Sequence, residues 1–173
     1  MPLYEFIPSG WRGTERTIQH MRGLAIAAAK SWGFIRVSTP FAYGMPRDFR
    51  GQGSRILEWV KKHIEYVPDP VTAADEDGVP QGMELVQAPV RTLQRKAGDC
   101  DDHSTLIAAM GMVLGIPAEF ATVKADPRRP AEFSHVYPRL LIDGEWTGCD
   151  STVARSRLGW EPERSWEKRT WRI

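Results

Sequence analysis

The sequence predicts an α+β fold in which N-terminal helices and one central buried helix pack on an antiparallel sheet. Two observations predict it. Between Gly98 and Pro117 a capping signal opens a run that is apolar or Gly on every face from Leu106 to Leu114, the pattern of a helix buried all round. Beyond Pro117 the apolar residues alternate instead, and three strand-like segments follow one another with a hairpin signal between the last two.

Taken in order, residues 1 to 13 read as irregular, punctuated by Pro8, Gly10 and Gly13. A helix is expected from about Thr14, because Ile18, Met21, Ala25, Ala28 and Trp32 recur at three- and four-residue steps, and Gly33 ends it. The Pro- and Gly-rich stretch 34–53 reads as a loop with a short strand at 34–37. Ser54 then caps a second helix whose buried face is Ile56, Trp59, Val60, His63 and Ile64, with Lys61 and Lys62 on the wet side. Residues 68–83, rich in Pro and Gly around the acidic triplet Asp75, Glu76 and Asp77, read as a surface loop and mobile lid. The triplet reads as a solvated loop tip rather than a metal site. Residues 84–97 lead toward the central helix, broken early by Pro89.

That central helix has Asp99 as N-cap, Asp102 three residues on in a capping-box arrangement, Gly115 for the left-handed position past its end, and Pro117 as a stop. Strands are expected over 118–124, 133–142 and 145–150, with Asp143-Gly144 as the tight turn.

At 173 residues the chain is expected to form a single domain over 1–173: a helical N-terminal region (1–83), a core (84–152) and a basic, aromatic tail (153–173). Two cysteines are too few for a disulfide framework. The N-terminus has no export signal, and the longest purely apolar run, Leu24 to Ala29, is far short of the ~20 residues of a membrane span, so a cytoplasmic place of synthesis and no membrane partner are expected. A net charge of +1 gives no global pull toward nucleic acid. In the tail, six basic residues interleave with Trp160, Trp166 and Trp171, a mixture that can stack on nucleic acid but that more commonly packs its tryptophans on the parent domain, so nucleic acid is not an expected partner.

Cys100 falls in the first turn of the central helix, where free backbone N–H groups and the helix dipole favour a thiolate. His135 lies near the start of the middle strand and Asp150 ends the last one. If the strands are neighbours and the helix packs on them, thiol, imidazole and carboxylate can meet at one sheet edge, as nucleophilic acyl chemistry requires. His103, one helical turn past Cys100, is a rival base, although no carboxylate is evidently placed to orient it. The oxyanion would be held by the Cys100 backbone N–H and a second donor upstream, Gln87 or Gln94. Cys149 alternates with Asp150 and should face away from it, so no disulfide with Cys100 is expected; Trp146 shares the face of Asp150 as a cleft wall or a core residue.

The run Gly98-Asp99-Cys100-Asp101-Asp102 heading an apolar helix to Leu114-Gly115-Ile116-Pro117-Ala118, then Ser134-His135-Val136-Tyr137, then Asp143-Gly144-Glu145-Trp146 leading to Asp150-Ser151-Thr152, resembles the transglutaminase-like superfamily. The resemblance implies a papain-like core over 84–152, with Cys100, His135 and Asp150 as catalytic residues of an acyl-transfer enzyme. Its members include transglutaminases, bacterial cysteine proteases and deamidating enzymes. The family strand continues Asp-Pro-Thr where this chain has Asp150-Ser151-Thr152, so the carboxylate is kept and the turn residue changes. Gly13-Thr14-Glu15-Arg16-Thr17, Met21 and Leu158-Gly159-Trp160 further resemble a compact branch encoded by phages and prophages.

Asp99, Asp101 and Asp102 are similar to calcium-binding acids beside the cysteine in one bacterial protease branch, with plain helix capping as the competing reading; beyond calcium no cofactor is implied. The reading is therefore a thiol enzyme acting on an amide of a protein or peptide, with hydrolysis ahead of cross-linking because no amine site is identifiable. The alternative is a virion-assembly module, associated with phage structural proteins, whose triad is idle.

Overall fold

The computed structural model describes residues 11–69, 71–74, 80–82, 85–128, 130–163 and 165–173. The elements, in order, are α1 (Trp11–Ala29), α2 (Trp32–Ser38), α3 (Phe49–His63), β1 (Glu65–Tyr66), β2 (Val71–Ala74), β3 (Pro80–Gly82), α4 (Pro89–Arg95), β4 (Ala97–Gly98), α5 (Cys100–Val113), β5 (Ala118–Val123), β6 (His135–Ile142), β7 (Glu145–Gly148) and β8 (Lys168–Arg172).

Helix α5 is the centre of the fold. Its N-cap Asp99 is extended and its carboxylate accepts from the Asp101 N–H at 3.2 Å, while Gly115 takes the left-handed φ of 79° beyond the last turn. Leu106, Ile107, Ala108, Ala109 and Met110 are all wholly buried, so successive residues on every side of the helix have neighbours. Each large side chain so buried contributes about 1.5–3 kcal/mol. Helices α1, α2, α3 and α4 and the sheet strands β5 and β6 all pack against α5, and α3 also reaches β6.

That sheet is antiparallel with strand order β7-β6-β5-β8. Its helix-facing surface carries Phe120, Val136, Leu140 and Ile142 into the main core; the opposite surface carries Ala121, Val123 and Tyr137 into a smaller cluster. Among the described residues, a four-stranded antiparallel sheet and five α-helices make the α+β architecture expected from the sequence. Among the described residues no helix is long and apolar enough to cross a membrane.

Several local expectations are corrected. Residues 34–37 are not a strand but lie within α2, because the chain breaks after Ala29 and resumes a helix at Trp32; Trp32, expected on the buried stripe, is largely exposed. Helix α3 begins five residues before Ser54, capped by Asp48, whose carboxylate accepts from the Gly51 N–H at 2.8 Å. His63 is exposed rather than buried, stacked on the half-buried Trp59, and Lys61 is not free on the wet side: its Nζ donates to the carbonyls of Ala154 and Ser156. Pro89 opens α4 instead of breaking a helix, since a first-turn proline has no N–H to lose. In place of a plain loop at 68–83, β2 and β3 pair as an antiparallel hairpin; the acidic triplet 75–77 lies outside the described residues. The tail is no appendage either, since β8 pairs along the length of β5 from Glu119 to Val123.

Past β7 the chain turns back along the outer sheet surface and approaches Gly148 closely. A Cβ at position 148 would stand 2.3 Å from the Trp160 carbonyl oxygen, a backbone atom held there by the Gly159 N–H to Gly148 O bond at 2.8 Å. Gly148→Ala is therefore expected to destabilise the protein by about 2–3 kcal/mol, because the neighbour that must move is backbone. Urea unfolding measures this, and a loss below about 0.5 kcal/mol would show that the turn accommodates a methyl group.

Candidate active site

Cys100 is the first residue of α5 and is partly exposed. His135 is the first residue of β6, and Asp150 lies two residues past β7, where the ladder is prolonged by the Cys149 N–H to Pro138 O bond at 2.9 Å. The imidazole Nε2 of His135 donates to Asp150 Oδ2 at 2.8 Å. The pair is sheltered on the carboxylate side: the Asp150 side chain is 1% exposed and that of His135 19%.

Asp150 is held from both ends. Its other oxygen accepts from the Thr152 N–H at 2.9 Å and the Thr152 hydroxyl at 2.7 Å. Burial pushes this carboxyl up, but the hydrogen bond and charge of His135, with the Thr152 donors, outweigh it and hold the group below its ordinary range. With Nε2 taken by Asp150, Nδ1 is the ring nitrogen left for a thiol. Beneath the ring, Tyr137 stacks with centroids 6.0 Å apart and donates its hydroxyl to Glu161 at 3.2 Å, so His135 rests on a buried aromatic floor.

Two hydrogen bonds tie the first turns of α5 to this pair. The Ser104 hydroxyl reaches the carbonyl of Val136, the residue after His135, at 3.2 Å; His103 Nδ1 bonds Ser151 Oγ, on the residue after Asp150, at 2.7 Å. His103, the rival base, is buried, and burial lowers its basicity. It is oriented by a hydroxyl rather than a carboxylate.

A residue that no sequence signal singles out also enters the site. Strand β1 runs parallel to β4 with Tyr66 opposite Gly98, which sets a half-exposed phenol beside the head of α5. Burial, followed by the negative charges of Cys100, Asp99, Asp101 and Asp150, pushes the Tyr66 hydroxyl up to about 12. It is therefore a proton donor throughout the neutral range. A two-residue strand has no periodicity to read, so only the parallel pairing reveals it.

The upstream glutamines are placed differently. Gln94 lies on the exposed side of α4. Gln87 is 3% exposed and its amide is occupied: Nε2 donates to Asp102 Oδ2 and, at 3.4 Å, to the Ala97 carbonyl, while Oε1 accepts from Arg95 at 3.0 Å. Trp146 pairs with Leu141, six residues along β6 from His135, which is roughly 20 Å at strand rise, and the Arg172 guanidinium covers its ring. The structure thus does not bring Trp146 to the His135–Asp150 pair. Cys149 alternates as expected: it is wholly buried among the helices, near Gly53, and both cysteines are free.

Asp99, Asp101 and Asp102 can bring one oxygen each within 4.8 Å of one another. Their hydrogen bonds speak for capping. Asp99 caps the helix, and Asp102 accepts from the Gln87 N–H at 2.6 Å, from the Gln87 side chain and from the Asp99 N–H. Calcium takes six to eight oxygens, and two of these three carboxylates already accept from N–H donors.

Burial nevertheless pushes the Asp102 carboxyl up to about 7, against the pull of those donors. A folded-state value above the unfolded 3.8 means that the contribution of Asp102 to stability is full below about 4 and declines as pH rises toward 7. Asp150, held low, has the opposite sign and loses its contribution in acid. The unfolding free energy of the wild type relative to Asp102→Asn should therefore fall by on the order of 2 kcal/mol between pH 5 and pH 8. A difference that does not vary with pH, followed by urea titration, would contradict this.

A cysteine heads a buried helix, and a hydrogen-bonded His–Asp pair stands on the antiparallel sheet that the helix contacts, within a papain-like α+β fold. A family model for the transglutaminase-like superfamily matches residues 40–151, and the chain belongs to that superfamily. Among solved structures, a candidate protease from Parabacteroides distasonis superposes with a TM-score of 0.57 at 12% identity, over 88% of this chain and 30% of that one. A candidate cysteine protease from Cytophaga hutchinsonii gives 0.46 at 18% identity, over 80% and 50% of the two chains. LapG of Legionella pneumophila gives 0.43 at 18%, over 80% of each. The chain thus spans half or less of the first two of these proteins. No curated protein matches its sequence.

Proposed function

We propose that the protein is a cysteine-dependent acyl-transfer enzyme acting on an amide bond of a protein or peptide substrate. The observation that carries the reading is the 2.8 Å bond from His135 Nε2 to the buried Asp150 carboxylate, joined through neighbouring residues to the helix that Cys100 opens. In this reading His135 Nδ1 takes the Cys100 proton, and the thiolate adds to the substrate carbonyl. The imidazolium returns the proton to the departing amine, leaving a thioester that water, deprotonated by the same nitrogen, hydrolyses. Asp150 fixes the ring and balances the positive charge it acquires. The Cys100 backbone N–H and the Tyr66 hydroxyl are the donors for the oxyanion, since Gln87 is occupied and Gln94 is exposed on α4. The alternative, an assembly module with an idle triad, has no observation in its favour.

Alkylation by iodoacetamide tests the reading. Cys149 is a poor internal reference because burial alone protects it and pushes its thiol up, so glutathione is the comparator. At pH 6, Cys100 is expected to react at least about 10-fold faster than glutathione, as a paired thiolate does. A rate that follows the curve of an ordinary thiol of pKa about 8.5 would sink the enzyme reading.

A further inference from the structure

We propose that His103 is a positioning residue, a neutral strut whose hydrogen bonds fix the segments bearing Cys100, Asp150 and Tyr66 relative to one another. This rests on the catalytic reading above, and it explains a polar ring that the chemistry itself does not use. His103 is 2% exposed and touches three segments. Its own helix turn carries Cys100. Its Nδ1 meets the Ser151 hydroxyl at 2.7 Å, one residue from Asp150, and its Nε2 lies 3.5 Å from the Glu65 carbonyl, one residue from Tyr66. The Tyr66 ring packs edge-on against the imidazole, with centroids 6.2 Å apart and planes at 63°.

These partners determine the tautomer. A carbonyl only accepts, so Nε2 carries the hydrogen toward Glu65 and Nδ1 accepts from the Ser151 O–H. One neutral ring thereby satisfies a donor and an acceptor on two separate segments. An apolar side chain of the same volume would fill the space without specifying the distance between those segments. Ser104 reaches toward His135 through the Val136 carbonyl and otherwise donates to the Cys100 carbonyl of its own helix. His103 is what links the helix to the Asp150 side and to the Tyr66 wall.

Three variants of the full chain separate positioning from packing. His103→Phe keeps the ring and loses both hydrogen bonds; His103→Asn keeps an acceptor near the Nδ1 position; Ser151→Ala removes the partner and leaves the imidazole. Alkylation of Cys100 at pH 6 is expected to slow about 10-fold in His103→Phe and in Ser151→Ala, to recover to within about 3-fold of wild type in His103→Asn, and to slow no further when His103→Phe and Ser151→Ala are combined. The His135 ring resonances in ¹H–¹⁵N spectra should shift in Ser151→Ala although no hydrogen bond joins His135 to Ser151. Wild-type alkylation and unmoved His135 resonances in Ser151→Ala would overturn the proposal, even if His103→Phe failed to fold. Wild-type Cys100 behaving as an ordinary thiol would instead defeat the catalytic reading, and the His135 resonances would still decide whether His103 positions the pair.

Discussion

Replacing His135 with alanine is expected to slow the alkylation of Cys100 at neutral pH by about 10²-fold or more, the range in which a positioned base operates. Asp150 accepts from Nε2 at 2.8 Å and is itself fixed by two donors from Thr152, so the ring cannot turn without breaking a buried carboxylate's hydrogen bond. Nδ1 is therefore presented in one direction. The side chain is partly exposed and heads a strand, and its removal leaves the core cluster intact, so the folded population should survive. Asp150 keeps its two Thr152 donors but loses its His135 partner, so thermal unfolding should come somewhat earlier, while the large loss appears in the reactivity of the thiol. A His135→Ala protein that alkylates within about 3-fold of wild type, with a matching pH profile, would move the base elsewhere.

The second large effect belongs to Arg139 and to stability. Its guanidinium donates Nη1 to Glu119 at 2.6 Å, Nε to Glu161 at 2.8 Å and Nη2 to the Trp146 carbonyl at 2.9 Å. The Glu119 side chain is 4% exposed, so Arg139→Ala leaves a buried carboxylate in the sheet without the cation that is hydrogen-bonded to it. Removing one member of such a pair costs about 3–5 kcal/mol, most of it the penalty of the charge left behind. Adding Glu119→Gln to Arg139→Ala should recover much of the loss, because the uncompensated charge disappears with it. Urea unfolding of the two single variants and the double variant measures the coupling, and strict additivity would show that the charges do not depend on one another. Through Glu161 the same network reaches the Tyr137 hydroxyl, so the floor under His135 should also loosen.

What can be read from the sequence depends on how local its physical cause is. Both ends of α5 are legible, because the Asp99 cap and the left-handed Gly115 act within a few residues of themselves. The antiparallel strands carrying His135 and leading to Asp150 are legible through alternation and the Asp143-Gly144 turn. By contrast, the helix over Trp32–Ser38 is held by packing against α1 and α5 in a stretch whose prolines and glycines favour a loop. Tyr66 and Gly98 pair through strands of two residues each, too short to show a period. The Ser151 partner of His103 lies 48 positions away, and no spacing rule connects them. Strand β8 carries no strand signal because its residues, Lys168, Arg169, Thr170, Trp171 and Arg172, do not alternate apolar with polar.

The composition of β8 has a consequence for how the protein behaves in company. It lies at the outer margin of the four-stranded sheet and is mostly exposed, so one row of its backbone N–H and C=O groups faces outward, a template on which a strand from another molecule could add. Three of its five side chains are cationic. Two of these cations already hold acids of their own chain, Lys168 with Glu161 at 2.8 Å and Arg169 with Glu167 at 2.6 Å, so an incoming strand would meet charged side chains engaged in ion pairs along this edge rather than an apolar surface.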